Sequence, residues 1–496
     1  MGLGLLQLVN VGKENIYIST QPEITYFKIA YKKYTNFSIE EIPQYFKTTP
    51  DFGRRCIVNL GKNADLIYMI YLYIQLPNIQ FENIFNSLIN KNIQKFAWVN
   101  KIGLALINFV EIEIGGTIID RHYNDWLNIW NELTTKKGIK KSYNKMIGNI
   151  SELTEFSVNK SSYILYIPLA FWFCLDSGLA LPLVALSLND IKIHVEFNDF
   201  NLCYKLSPSH YISINNNFCI FEKNEIFYQI YQNTKIIGEF IYFDKINKYL
   251  YYNPIKGKFI IPTTDNNINL VLIGSKTNFK IYIQTNSVVV QNNNYFKFNT
   301  PSIIDAYLII NYIYLDNYER NKFINKNHEY IIPLVQTVSD QIIYSINSIY
   351  KLPLVNPVKI IIWRALLLSN IDNNDYFNYT SYPYTDTYDY LIIKNYLVIN
   401  SINMIDINSI EYYTILQKYQ YKLNNEQTGI YMYSFALDPK EIQPTGTLNF
   451  TKINDSYIQL NMNSIINYQN PISIKAYAIQ YNLFKITNGI CGLIYN

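Results

Sequence analysis

The sequence predicts an all-β protein built from sandwiches or barrels. Most apolar residues fall in short runs that either alternate with polar residues or stay apolar throughout, as strands do, and helical periodicity is confined to a few places. The 47 Tyr and 27 Phe also suit pleated surfaces, although AT-rich codons would favour the same residue types. With 496 residues, two β domains of ordinary size are expected.

Five runs carry the strand prediction along the chain. Leu66–Pro77 is a long apolar strand ended by a proline, and Val110–Gly116 alternates acids with isoleucines before a turn. Ile191–Phe197 alternates apolar residues with Lys, His and Glu, which indicates a half-buried strand. Asn269–Thr285 holds short strands bounded by asparagines, and Asn356–Trp363 is an apolar strand opened by a proline.

A helix is predicted over Tyr123–Leu133. Trp126 and Trp130 stand four positions apart and so share one face, and Asp125 is the candidate N-cap. The polar and basic stretch Lys136–Ser161 follows this helix.

A second helix is predicted within Leu315–Ile331. Asp316 precedes Glu319 with the spacing of a capping box, in which the first side chain accepts a hydrogen bond from the backbone of the residue three positions on.

The most apolar stretch, Tyr166–Leu188, is long enough to raise the question of a membrane span. Asp176-Ser177-Gly178 interrupts its centre with turn chemistry, and Pro182 follows shortly. An aspartate at the middle of a span costs several kcal/mol. We therefore expect strand, turn and strand here, with a membrane anchor as the alternative.

The chain carries traces of an internal duplication. Blocks in the second half repeat blocks of the first in the same order, which indicates two like domains with loops of unequal length. The matches pair Phe173–Pro182 with Phe435–Pro444, Ile191 with Ile453, Gly116–Trp126 with Ile402–Tyr412, and more weakly "AYLI" at Ala306 with "AYAI" at Ala476.

Composition excludes several function classes. The formal net charge is +4, from 42 basic and 38 acidic residues, which is too balanced to indicate a polyanion partner. The apolar N-terminus lacks the basic region and cleavage site of a signal peptide. Five scattered cysteines without a CxxC motif predict free thiols in a reducing compartment, with Cys174 and Cys203 buried; the other three are Cys56, Cys219 and Cys491.

No catalytic, cofactor-binding or metal-binding residue is predicted. Glu111 and Glu113 share one side of a strand and are the best candidates for glycosidase or calcium chemistry, but such a pair is more often the solvent face of a strand, and we expect that here. Metal-ligand spacing is absent among the histidines, and His122 beside a turn is expected to be a surface residue. The four histidines are His122, His194, His210 and His328.

Read in order, six motifs resemble the major capsid proteins of nucleocytoplasmic large DNA viruses, the double jelly-roll family. One departure is that Asn321-Lys322 follow Glu319-Arg320, where the family tends to continue with arginines. The motifs lie at Ile24–Glu40, Gly178–Ile193, Tyr312–Ile332, Asn356–Trp363, Gly429–Phe450 and Tyr481–Asn496.

The resemblance implies two tandem eight-stranded jelly rolls with a few short helices and with loop insertions in the first. We expect an N-terminal segment at 1–25, the first jelly roll at 26–318 with insertions near 136–161 and 207–300, a helical linker at 319–328, and the second jelly roll at 329–496. Tyr166–Leu188 would then be two core strands and their connecting turn, apolar because a sandwich buries them.

The resemblance further implies a structural, non-enzymatic coat protein without cofactors. Three chains would form a homotrimeric, pseudo-hexagonal capsomer that tiles an icosahedral shell made in the host cytoplasm. The expected partners are neighbouring capsomers, penton and minor capsid proteins, with an inner viral membrane nearby and no direct contact with nucleic acid. A carbohydrate-binding β-sandwich is the alternative, because jelly rolls also serve lectins. Both insertions are expected to project outward as a small tower.

Overall fold

The computed structural model describes most of the chain. The described residues are 8–9, 11–29, 31–80, 95–214, 216, 218–231, 234–245, 247–262, 270–283, 287–291, 301–380, 390–405, 409–464, 466–468 and 470–495.

The first 200 residues contain eleven of the described strands. In the strand at 66–76, fully buried side chains alternate with partly buried ones from Ile70 to Leu76. In chain order they are β1 (Phe37–Tyr45), β2 (Arg55–Asn59), β3 (Leu66–Leu76), β4 (Ile79–Gln80), β5 (Lys95–Trp98), β6 (Ile107–Ile114), β7 (Thr117–Tyr123), β8 (Asn159–Lys160), β9 (Tyr163–Pro168), β10 (Leu181–Pro182) and β11 (Ile191–Phe197).

The remaining strands comprise a group before residue 300 and a longer group after it. The first group is β12 (Tyr204–Ser207), β13 (His210–Ser213), β14 (Ile226–Tyr231), β15 (Thr234–Asp244), β16 (Tyr249–Lys256), β17 (Val271–Gly274), β18 (Lys280–Tyr282) and β19 (Val289–Gln291). The second group is β20 (Asp305–Leu315), β21 (His328–Ile343), β22 (Asn347–Lys351), β23 (Pro357–Leu367), β24 (Ile392–Ile399), β25 (Ile402–Asn403), β26 (Ile430–Ser434), β27 (Leu448–Asn449), β28 (Ser456–Met462), β29 (Ile472–Thr487) and β30 (Ile490–Leu493).

Helices are short and lie mostly in the connections. The α-helices are α1 (Lys13–Ser19), α2 (Ile102–Ala105), α3 (Asn124–Thr134), α4 (Lys137–Met146), α5 (Ser151–Thr154), α6 (Trp172–Leu175), α7 (Asn317–Asn325), α8 (Leu368–Asp372) and α9 (Gln417–Gln420). The 3₁₀ turns are Ser177–Leu179, Leu183–Ala185, Phe200–Leu202 and Phe450–Lys452, and a π-helix, Tyr412–Leu416, runs into α9.

Two sandwiches with the same strand order make up the fold. In the first, a sheet ordered β1-β20-β3, with β9 and β10 both paired to β3, faces a sheet ordered β2-β11-β6-β7. In the second, β21-β29-β23-β26 faces β22-β28-β24-β25. Each sandwich thus has eight principal antiparallel strands in jelly-roll order, which confirms the predicted all-β double jelly roll. The limits of each jelly roll as an independent folding unit stay a prediction.

The duplicated blocks occupy equivalent places. Ala306 and Ala476 lie on β20 and β29, the central strands of the two matching sheets. Phe173 and Phe435 both follow the strand that closes the same edge of that sheet, and Ile453 comes just before β28, the equivalent of β11.

Each sandwich has its own apolar core, and a third core lies between the two sandwiches. The first core fills the first sandwich and also takes in Ile332, Leu334, Phe484 and Ile486 from β21 and β29. The second core fills the second sandwich. The third, here called the inter-sandwich core, joins Trp126, Ile129 and Leu133 of α3 to the outer side of β23, β26 and β29. In a β-sandwich the two sheets usually bury only the faces that they turn toward each other. Here the outer face of the sheet that contains β23, β26 and β29 is buried as well.

Both predicted insertions leave the first sandwich from one end, here called the loop end. Register pairs Tyr45 with Tyr307 and Leu76 with Tyr163, so the connections after β1, β3, β7 and β11 emerge together. The last of these, residues 198–304, carries the seven-stranded sheet β18-β17-β14-β15-β16-β13-β19, which has a separate core. The loop end of the second sandwich lies alongside, because Asn424 N–H donates to Leu133 O at 3.0 Å.

The two helix predictions had different outcomes at their first turns. Asp316 caps α7 as predicted, its side chain accepting from Glu319 N–H at 2.8 Å. Helix α3 forms as predicted, but Asp125 is not its cap: Tyr123 holds that position without a side-chain bond, and Asp125 lies in the first turn. Asp125 is instead drawn into the inter-sandwich contact described below.

The stretch Tyr166–Leu188 contains less strand than predicted. Tyr166–Pro168 end β9 and pair with β3; α6 and two 3₁₀ turns follow, and of the residues after Pro168 just Leu181–Pro182 pair with β3. The second long strand, β11, begins at Ile191. The reason is local: the Asp176 carboxylate accepts from Gly178 N–H at 2.7 Å and starts a 3₁₀ turn. Within the part of the chain that the structure describes, no helix is both long and apolar enough to span a bilayer.

Candidate functional site

Glu111 is fully buried on β6, not exposed on a strand face. Arg121 Nε donates to Glu111 Oε2 at 2.7 Å, and Arg55 Nη2 donates to Oε1. Both guanidinium groups also lie over the Phe109 ring, at 5.5 Å for Arg55 and 4.9 Å for Arg121. The predicted solvent face is therefore wrong for Glu111, because arginines from β2 and β7 cover its carboxylate and keep it paired.

Glu113 belongs to the same charged surface but has different partners. Lys192 Nζ donates to Glu113 Oε1 at 2.7 Å, and His194 Nε2 lies 2.9 Å from Oε2. The hydrogen bond from Lys192 is the largest influence and lowers the pKa of Glu113. A general acid needs a raised pKa, so Glu113 is set up as an ion-pair partner that ties β6 to β11.

The four histidines lie in separate places. His122 is buried, with Nε2 3.0 Å from Asp120 Oδ2 and its ring stacked on Phe171 at 5.0 Å, so the expectation of a surface residue is wrong. Burial lowers the pKa of His210 to about 4. Across the described ranges no three His, Cys, Asp or Glu side chains converge as metal ligands would.

All five cysteines are free. Cys203 is buried as predicted, whereas Cys174 is partly exposed. Burial raises the pKa of the Cys174 thiol to about 12 and also raises that of Cys203, so neither carries the thiolate that reactive cysteines need.

The main polar cluster joins the two sandwiches. Asp125 on α3 accepts from Arg364 Nη2 at 3.1 Å and from the Tyr477 hydroxyl, and Lys475 Nζ lies 3.5 Å away. Arg364 also donates to Asp340 Oδ1 at 3.2 Å. Burial alone would raise the pKa of Asp125, but Lys475 and Arg364 outweigh it and lower that pKa.

Around this cluster, α3 lies flat against the outer face of the second sandwich. The Trp126 and Tyr477 rings are 5.3 Å apart between centroids, and Ile479 on the same strand is only 4% exposed. The outward residues of that sheet form the covered face, which consists of Ile360, Ile362, Met432, Tyr477 and Ile479. Within one chain, a sheet of the second sandwich therefore packs against a helix of the first sandwich.

The equivalent face of the first sandwich is aromatic and open in the described structure. Four tyrosines form a row across β1, β20, β3 and β9, with ring centroids 5.3 Å apart for Tyr45–Tyr307, 4.3 Å for Tyr73–Tyr307 and 5.5 Å for Tyr73–Tyr166. Tyr45 is 65% and Tyr166 40% exposed. This tyrosine face consists of Pro43, Tyr45, Tyr71, Tyr73, Tyr166, Pro168, Tyr307 and Ile309.

A helix in the second sandwich corresponds to α3 and also has an open side. The second helix, Tyr412–Gln420, follows β25 as α3 follows β7. Its Tyr413 enters the second core, as Leu127 of α3 enters the first. On the opposite side, Leu416 is 49% and Tyr419 85% exposed.

Sequence reasoning missed these surfaces, although one signal for them was present. The repeat "AYLI"/"AYAI" places Tyr307 and Ile309 in register with Tyr477 and Ile479. Alternation alone assigns these four side chains to the outward side of a strand and says nothing about what covers that side. Which outward side is covered depends on a helix far away in the sequence.

Comparisons with known proteins agree with this geometry. A family model described as "Major capsid protein N-terminus" matches residues 25–244, and one described as "Large eukaryotic DNA virus major capsid protein" matches 319–492. The chain is 35% identical to "Probable capsid protein 4" of Acanthamoeba polyphaga mimivirus, covering all of this chain and 99% of that one. It is 28% identical to the major capsid protein of Pyramimonas orientalis virus, with both chains fully covered.

Two solved structures share the fold. The Faustovirus major capsid protein superposes with a TM-score of 0.65 at 12% identity, covering 96% of this chain and 94% of that one. The quasi-atomic model of the PBCV-1 virus capsid gives 0.63 at 20% identity, covering 95% and 100%. At these identities the likeness concerns the fold alone.

Proposed function

The chain belongs to the family of major capsid proteins of large eukaryotic DNA viruses, a structural and non-enzymatic family, and from this premise we propose that it forms homotrimeric, pseudo-hexagonal capsomers that tile an icosahedral shell. The observation that carries the proposal is the contact within one chain. A sheet of the second sandwich lies on the helix that follows β7 of the first, so two like bodies meet through unlike surfaces.

Contacts between unlike surfaces of like bodies generate rings when the rotation between them closes. Each chain supplies two sandwiches already related by one such contact. Three chains would supply six, and repeating the contact from chain to chain closes a six-part block with threefold symmetry. Such a block tiles a lattice of hexagons, which suits an icosahedral shell.

Light scattering on the purified protein tests the oligomeric state. A trimer has three times the chain mass of 58.4 kDa, about 175 kDa. Obligate interfaces bury roughly 2,000–5,000 Å² and persist on dilution. A well-behaved monomer at micromolar concentration would contradict the homotrimer but not the family assignment.

We further propose that the loop end faces outward and that the insertion at 198–304 forms the small tower there. Its sheet has its own core and therefore needs no cover from the shell. Limited proteolysis of intact particles should cut first within residues 136–161 or 207–300. A particle map with this sheet on the inner surface would overturn the orientation.

The opposite end then faces inward. We propose that it contacts minor capsid proteins and lies near an inner viral membrane, that penton proteins fill the vertices, and that the near-neutral chain does not bind nucleic acid directly. Free thiols at all five cysteines support assembly in the reducing host cytoplasm. Cross-linking of particles followed by mass spectrometry tests these partners: cross-links from the inward end to packaged DNA would contradict the proposal.

A further inference from the structure

The covered face and the tyrosine face are the same surface on two copies of one fold. In both sheets the central strand carries Ala-Tyr-x-Ile, and Tyr307 and Tyr477 each lie opposite a residue of the neighbouring central strand, Tyr73 and Ile362 respectively. Tyr477 is fully buried under α3, whereas Tyr307 is only partly buried. One of two equivalent faces has its helix, and the other lacks it in the described structure.

The helix that could fill this position is also present, with its outward side open. Trp126, Trp130 and Leu133 of α3 stand at i, i+4 and i+7, a spacing that puts them on one face. The block match that pairs Trp126 with Tyr412 brings Trp130 onto Leu416 and Leu133 onto Tyr419. The second helix therefore has apolar side chains at the same positions as α3, and two of them, Leu416 and Tyr419, point away from the second sandwich.

We propose that, in the trimer put forward above, the tyrosine face of each chain docks onto the second helix, Tyr412–Gln420, of a neighbouring copy. This inference rests on the proposed homotrimer and names its interface. Each sandwich then offers its helix to one neighbour and receives a helix on its sheet from the other. The intrachain and interchain contacts alternate around the ring, which closes after three chains.

The two contacts differ in their charges. In the intrachain contact Asp125 lies 3.5 Å from Lys475. The matching interchain positions are Glu411 and Asp305, which bear the same sign. The interchain contact therefore depends on aromatic and aliphatic burial, for which the tyrosines are well suited because they combine large apolar area with a polar tip.

Charge substitutions test the interface from both sides. Tyr307→Lys and Leu416→Lys should each shift the mass in light scattering from about 175 kDa to the 58.4 kDa of one chain, with an unchanged circular dichroism spectrum. Tyr468→Lys is the matched control, because Tyr468 is a large aromatic side chain, 84% exposed, that contacts Tyr344 where β21 ends and β29 begins. It should stay trimeric.

A cysteine pair tests the contact without relying on disruption. Tyr307→Cys combined with Tyr412→Cys should give covalent dimers and trimers on a denaturing gel after treatment with a short bis-maleimide, because the rings of Trp126 and Tyr477, the intrachain counterparts, have centroids 5.3 Å apart. Neither single variant should do so.

The outcomes separate the two proposals. If the parent protein is a trimer but both lysine variants stay trimeric and the pair does not cross-link, the interface is wrong and the homotrimer stands. If only Tyr307→Lys dissociates the trimer, another occupant covers the tyrosine face and the inference fails; the N-terminal arm, of which residues 11–29 and 31–36 are described and carry exposed aromatic side chains, is one such occupant. A monomeric parent protein refutes the homotrimer itself.

Discussion

Replacing Asp125 by asparagine tests whether the two sandwiches act as one unit. The substitution keeps the shape of the side chain but removes the carboxylate charge that pairs with Arg364 and accepts from Tyr477. The Arg364 side chain is only 6% exposed, so its charge would remain buried. Removing one partner of a buried pair typically costs about 3–5 kcal/mol, because the other charge is left uncompensated.

The remaining partners place the expected loss within that range. Arg364 keeps Asp340, but the Asp340 side chain is 49% exposed, so that pair is partly solvated and weak. Lys475 keeps its existing contact with the Tyr123 ring, whose centre lies 4.2 Å from its Nζ. These contacts moderate the penalty, so we expect a loss of about 3 kcal/mol in the free energy of unfolding.

Urea unfolding followed by circular dichroism, at one fixed protein concentration, measures the change. Asp340→Asn is the matched control and should cost under about 1 kcal/mol, since its charge is half in water. Asp125→Asn should also expose Trp126 earlier than the rest of the chain unfolds, visible as a fluorescence transition at lower urea. A loss below about 1 kcal/mol with coincident transitions would refute the view that this cluster holds the sandwiches together.

Three further predictions concern single sites. Burial lowers the pKa of Lys418 from 10.5 to about 7, so the stability of the wild-type protein should rise as pH increases from 7 toward 10. Lys418→Met should be more stable at pH 7 and should lose that part of the rise. An unchanged pH profile in chemical denaturation would contradict the burial argument. Gly429→Ala should lower the free energy of unfolding by about 2 kcal/mol or more, because φ is +81° and a Cβ would lie 2.3 Å from Tyr379 O, whereas Gly138→Ala on an open helix should be neutral or stabilising in the same urea titration. Glu111→Gln should lower the free energy of unfolding by about 1–3 kcal/mol, because two arginines lose the carboxylate that they share. Equal melting temperatures for the variant and the parent protein would show that water replaces that carboxylate as their partner.

Local sequence patterns predicted the fold class, but they did not predict which charged and polar side chains would be buried by residues from other strands and loops. Alternation located β6 and β11, because period two fixes which side of each strand faces inward, and a long apolar run ended by a proline located β3. It misplaced Glu111, since alternation reports which side of a strand a residue takes and not whether arginines from other strands close over that side. His122 is buried for a similar reason, under Phe171 from a loop almost fifty positions later.

Capping was predictable only where the chain had no competing long-range partner. Asp316 caps its helix because it is near the surface and bonds three residues on. Asp125 has an equally suitable place in sequence, but Arg364, 239 positions away, holds its carboxylate. The surfaces proposed for assembly were out of reach for the same reason: an outward strand face is open or covered according to where another helix lies.

The insertion at 198–304 enters and leaves the first sandwich at neighbouring points. Gly53 N–H donates to Asn198 O at 3.1 Å, and Ile303 N–H donates to the Asp51 carboxylate at 3.2 Å, so one short loop holds both ends. An excursion anchored in this way behaves as a cassette, because its length and content can change while the two anchor points stay fixed. The region can therefore change in sequence and length while the two jelly rolls stay the same, and an engineer can replace it with a foreign domain whose termini lie equally close.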